Sequence, residues 1–148
     1  MPLSRSKISN LKPQDIALIG IPFDDNSSFL KGPSNAPPLI IEAIESDSAN
    51  YFTEDSIDLE DHPNVRWLGN APPRDYFDIE SIIVEIAKIG AIPFSIGGDH
   101  SITYPVLKAM SASYPNLSIL HFDAHGDLYD SFDGNPHSHA SPFARIME

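Results

Sequence analysis

The sequence contains no cysteine. A disulfide framework, a thiolate-ligated zinc and a thiol nucleophile are thereby excluded. Basic residues are scarce: nine Lys and Arg stand against 21 Asp and Glu, a formal charge of −12. That balance argues against a nucleic-acid backbone or an anionic membrane as partner. It suits a metal cation or a positively charged small substrate, and equally a plain solvated acidic surface. There is no membrane-length apolar run either. The most apolar stretch, 82–96, is interrupted by Glu85 and Lys88 and is too short to span a bilayer. Residues 1–15 lack the apolar segment of a secretory signal, so the cytoplasm is the expected location.

What is present is ordinary for a globular chain: 148 residues, 41% of them hydrophobic, within the range of one domain spanning 1–148. The run 16–23 is short, apolar and rich in β-branched residues, and it predicts a buried strand opening into the polar Asp24, Asp25, Asn26. A proline-punctuated loop over 26–38 leads to a short helix over 39–45. Residues 46–64 predict a surface loop, and 65–68 a short strand. Asp78 is placed to cap a helix over 79–89 that Gly90 ends. Strands are expected over 91–96 and 117–122, a helix over 101–111, a polar loop over 126–139 and a helix from Pro142 onward. Alternating strands and helices predict an α/β fold around a mostly parallel sheet.

In such sheets ligands bind beyond the carboxyl ends of the strands. Three predicted strand ends are dense in polar residues: Asp24-Asp-Asn26, Gly97-Gly-Asp-His-Ser101 and Asp123-Ala-His-Gly-Asp127. Strand alternation puts Asp123 and His125 on one face, and a turn at Gly126 lets Asp127 approach the same point. Carboxylates gathered beside imidazoles need a counter-charge, which a divalent cation supplies. A His–Asp hydrogen-bond cluster is the alternative reading of the same triplet. The glycine pair 97–98 permits tight backbone passage and delivers His100 at a neighbouring strand end.

Taken together, Ser95-Ile-Gly-Gly-Asp-His-Ser101, His121-Phe-Asp-Ala-His-Gly-Asp127, Ser138-His-Ala-Ser-Pro-Phe143 and Gly20-Ile-Pro-Phe-Asp24 resemble the arginase/agmatinase (ureohydrolase) family, in both order and spacing. The resemblance implies a three-layer α/β/α fold of the arginase/deacetylase type and a dimanganese hydrolase that converts a guanidino group to urea plus an amine. It implies that His100 and His125 each hold one Mn2+, that Asp123 bridges both and that Asp127 holds the first. His139 at the mouth of the site would shuttle protons, with Asp127 also assigned to catalysis, and Asp99 would orient ligands. The implied partner is a small cationic guanidino compound, and full-length members are expected to be homo-oligomers.

Arginases carry an Asn two residues after the third ligand of this block, where this sequence has Tyr129. Together with the 138–143 segment, that favours an agmatinase-like branch and an agmatine-like substrate. Arginine- or guanidinobutyrate-type specificity is the alternative. The family also supplies a later Asp-x-Asp block and a Glu that lie beyond residue 148, so the sheet is expected to be incomplete at its C-terminus. The chain is therefore expected to be an N-terminal portion of such an enzyme, or a catalytically deficient remnant. A deacetylase-like zinc enzyme is a third possibility, disfavoured by the Gly-Gly-Asp-His block. Among the other histidines, His121 is expected in the core, His62 exposed and His137 in a solvated loop.

Overall fold

The computed structural model describes residues 2–148. Three parallel strands form the sheet: β1 (Ile16–Ile21), β2 (Val65–Asn70) and β3 (Ile92–Gly97), in the order β2-β1-β3. Parallel neighbours require crossover connections, and helices supply them. Helix α1 (Arg5–Ser9) precedes the sheet, α2 (Ala36–Ile44) lies between β1 and β2, and α3 (Asp78–Ile89) between β2 and β3. Helices α4 (Thr103–Ser111) and α5 (Pro142–Met147) follow. The α/β class and the parallel sheet agree with the sequence pattern.

Burial follows strand alternation. Ala17, Ile19 and Ile21 point to one face and are almost wholly buried with Ile79, Ile83 and Ile86 of α3. Those three isoleucines recur at helical spacing, giving α3 one apolar stripe. Burying each contributes roughly 1.5–3 kcal/mol. The other face of β1 meets α2: a Cβ on Gly20 would stand 3.0 Å from Cβ of Pro37. Helix α3 stops at Gly90, which adopts φ 84°, the left-handed conformation expected there. Asp78 is the first helical residue rather than the cap, and its carboxylate accepts from the backbone N–H groups of Arg74 and Asp75.

One predicted strand does not form. Residues 117–122 lie outside the sheet, with Leu120 81% and Phe122 89% exposed. A parallel strand needs both faces covered as well as a ladder partner. Here Ile92 and Phe94 of β3 are exposed, so a further strand beside β3 would find that face bare. The apolar composition of 117–122 satisfies the local requirement for a strand, and the tertiary requirement is unmet. No helix among the described residues is long and apolar enough to cross a membrane.

Candidate metal centre

The site is assembled where β1 and β3 end. The N–H of Gly98 donates to Ile21 O (3.0 Å) and that of Asp99 to Phe23 O (2.8 Å), which zips the two strand ends together. Asp24 is buried and turns back on its own loop, accepting from the N–H groups of Gly32 (2.7 Å) and Ser34 (3.1 Å) and from the Ser34 hydroxyl. Those donors hold its carboxyl below the usual carboxylate range. Asp24 therefore shapes the loop, whereas Asn26 reaches the site: its Nδ2 donates to Ser101 Oγ (3.3 Å) and its Oδ1 accepts from Asn135 (3.0 Å). Nothing in the sequence marks Asn26 for that linking role.

Asp99 caps the 3-10 turn 100–102, accepting from the Ser101 N–H (2.9 Å), and it also accepts from Ser27 Oγ. That cap fixes the turn on which His100 stands. Across the cleft, Asp127 adopts φ 46°, a left-handed conformation that aspartate tolerates. Its Oδ2 lies 2.7 Å from His100 Nδ1, and Asp123 Oδ2 lies 3.9 Å from the same nitrogen. Asp123 accepts from the His125 N–H (2.9 Å), which is the main reason its carboxyl is held below its ordinary value.

His100, Asp123 and Asp127 are thus brought together. His125 stands apart: its side chain is 81% exposed and its Nδ1 is 3.6 Å from Asp123 Oδ1. The imidazole that joins the group is His121, whose Nε2 lies 3.4 Å from Asp123 Oδ2. His121 is therefore not a core residue, because the segment carrying it never enters the sheet. His100, His121, Asp123 and Asp127 each offer one ligand atom, all within 4.8 Å of one another. Two imidazoles and two carboxylates at that separation are a donor set that a divalent first-row cation fits. The i, i+2 spacing of His121 and Asp123 was the available sequence signal.

His139 lines the same cleft, with Tyr129 and Phe132. Its Nδ1 is 3.3 Å from Asn26 O, and a carbonyl only accepts, so Nδ1 carries the proton and Nε2 is left to take one. Asp130 is engaged elsewhere, accepting from Arg145 Nη2 at 2.7 Å.

His137 departs from its expected solvated position. Its ring packs against Tyr76 and Phe77 (5.3 Å each) and stacks on Tyr104 (5.7 Å), with Nδ1 buried and without a hydrogen-bond partner. The 135–138 turn directs it there, its own N–H donating to Asn135 Oδ1. Burial, then the Arg145 guanidinium, lowers the His137 pKa, with Lys108 acting the same way and Glu148 opposing. Folding thus favours the neutral imidazole. Its stabilising contribution is complete above about pH 6.5 and is lost as pH falls through the depressed folded value. In urea titrations between pH 5 and 7.5, His137→Phe is expected to flatten the acid-side loss of stability. Parallel pH profiles for variant and wild type would contradict this.

A parallel sheet joined by helices, with a His/Asp cluster at one end of the sheet, defines the class of this chain as α/β with a candidate metal centre. The chain belongs to the arginase family, whose model matches residues 14–148. It is 43% identical over 145 residues to Arginase 1, mitochondrial, of Arabidopsis thaliana, covering 89% of this chain and 42% of that protein. It is 35% identical over 139 residues to the agmatinase of Bacillus subtilis (strain 168), covering 90% and 48%. The solved arginase from Medicago truncatula superposes with a TM-score of 0.80 at 38% identity, over 97% of this chain and 51% of that one. The chain spans about half the length of these relatives.

Proposed function

We propose that this chain contributes the His100–Asp127 half of a two-metal centre that hydrolyses a guanidino group to urea and an amine. The carrying observation is the convergence of His100, Asp123 and Asp127 at one point of a cleft that His139 also lines. On this reading His100, Asp123, His125 and Asp127 would hold the Mn2+ ions, which when bound would supply the Lewis acidity that makes water a nucleophile at neutral pH. Asp99 fixes the His100 turn, and the His125 N–H, which holds the Asp123 carboxyl below its ordinary value, favours the carboxylate form that a ligand needs. His139, held through Nδ1 by Asn26 O, gives or takes a proton at Nε2 as the amine leaves. The acidic surface favours approach of a cationic substrate.

On substrate, the agmatine-like expectation rests on Tyr129, which is 59% exposed and lines the cleft. The 43% identity to arginases, against 35% to an agmatinase, favours arginine as the first compound to test. Cytoplasmic location stays a proposal, with an organelle as the alternative because the Arabidopsis relative is named mitochondrial. Urea release from arginine, agmatine and guanidinobutyrate, measured with Mn2+ on the protein encoded by the full reading frame, decides the matter. Arginine is expected to turn over fastest. Preference for agmatine would restore the agmatinase reading, and absence of urea from all three would refute guanidino hydrolysis.

A further inference from the structure

We infer that the groove between α2 and residues 51–60 is a docking site for a basic amphipathic helix of a partner protein. The groove shares no residue with the candidate metal centre. Its floor follows from strand register. Leu18 of β1 stands beside Trp67 of β2 in the parallel pairing, on the sheet face opposite Ala17 and Ile19. Helix α2, nine residues long, covers that face only in part, and both side chains stay half-buried. Ile44 and Leu59, 38% and 39% exposed, form the walls with Tyr51. The cavity they enclose is about 260 Å³ and its lining is mainly apolar.

The rim has the opposite character. Glu45 and Glu60 border the groove, and Glu42 and Asp47 continue the acidic edge past Trp67. Residues 36–67 hold eight Asp and Glu against one Arg. Among the described residues no Lys or Arg forms an ion pair with any of these four carboxylates. An apolar slot bordered by unpaired carboxylates complements a segment with apolar side chains on one face and Lys or Arg on its flanks.

Two other occupants fit less well. A second copy of this chain would set the acidic rim against a molecule of formal charge −12, and like charges repel. An added strand would need the outer edge of β2, where Trp67 O already accepts from Lys7 Nζ (3.0 Å) and Asn70 O from the Leu3 N–H (2.7 Å). A helix satisfies its own backbone and needs only room for the side chains of one face.

Trp67 is the only tryptophan of the chain, so its fluorescence reports occupancy of the groove. The probe is a synthetic peptide of Leu and Lys, about 14 residues long, with Leu on one helical face. The same peptide with Glu in place of Lys is its control. Titrated into the 148-residue chain, the Lys peptide is expected to bind and shift the Trp67 emission to the blue, and the Glu peptide to do neither. Ile44→Gln and Leu59→Gln remove apolar wall without changing charge, and each should weaken binding at least about fivefold. Glu45→Gln combined with Glu60→Gln should weaken it about threefold at low salt and flatten its salt dependence. Glu85→Gln, on the exposed side of α3, should change nothing. Equal binding of the two peptides overturns the inference. So does unchanged affinity in both wall variants, which would mark plain charge attraction. Failure of the Lys peptide to bind the protein encoded by the full reading frame overturns it too, because a segment of that protein would then fill the groove.

Discussion

Gly98→Ala is expected to remove most of the stability of the chain. A Cβ at this position would lie 1.9 Å from Phe23 O, 2.7 Å from its carbonyl carbon and 2.8 Å from its nitrogen. All three are backbone atoms, so no side chain can swing aside. Either the β1 loop or the β3 loop must move, and both are tied by Gly98 N–H to Ile21 O and Asp99 N–H to Phe23 O. Losing that junction costs about 4 kcal/mol or more, a large share of the 5–15 kcal/mol of an ordinary domain. Two other glycines calibrate the result. At Gly97 the near atom is Cδ1 of Ile102 at 2.4 Å, the end of a flexible side chain, so the loss should be smaller. At Gly126 the nearest atom is Cδ1 of Leu128 at 3.6 Å, ordinary contact, and alanine should be tolerated. Urea denaturation midpoints rank the three. Equal midpoints for the Gly98 and Gly126 variants would show that the clash is relieved without cost.

His100→Ala should abolish the metal response of the chain while sparing the fold. The side chain is 29% exposed, and its main polar partner is Asp127, so little core packing is lost. As the proposed ligand nearest Asp127, its removal should weaken the first cation about 100-fold, at or above the effect of losing an outer orienting group. The consequence is readable as stability. At a metal concentration about 100 times the wild-type Kd, binding stabilises the native state by about 2.7 kcal/mol, and the variant would retain only about 0.4 kcal/mol. Thermal melts with and without Mn2+ measure this difference, with His62→Ala, on an exposed loop, as control. A variant whose melt shifts with Mn2+ as far as the wild type would show that His100 does not hold the ion.

The fold was legible wherever local pattern and tertiary demand agree. The β-branched run before Asp24, the isoleucine stripe of α3 and Gly90 behind it each satisfy a local rule, and neighbours reinforce it. The strand over 117–122 was misread because apolar composition reports only the chain's own preference. Whether a sheet accepts another strand depends on what covers its faces, and Ile92 and Phe94 on one face of β3 are exposed. The same limit applied to His137, whose place among Tyr76, Phe77 and Tyr104 follows from residues 33 to 61 positions away in sequence.

The candidate metal centre shows where sequence alone ends and tertiary structure begins. The sequence by itself determined that imidazoles and carboxylates cluster within two short motifs, because spacing along a turn is a local geometric fact. It thereby brought His100, Asp123, His125 and Asp127 into consideration as one group, with His121 expected in the core. The tertiary structure placed a different imidazole beside His100, Asp123 and Asp127: His121, which sits two residues before Asp123 as His125 sits two after it. The choice falls to the path of an unpaired segment and to the Phe143 ring that braces His121 against His100, and both depend on contacts between distant parts of the chain.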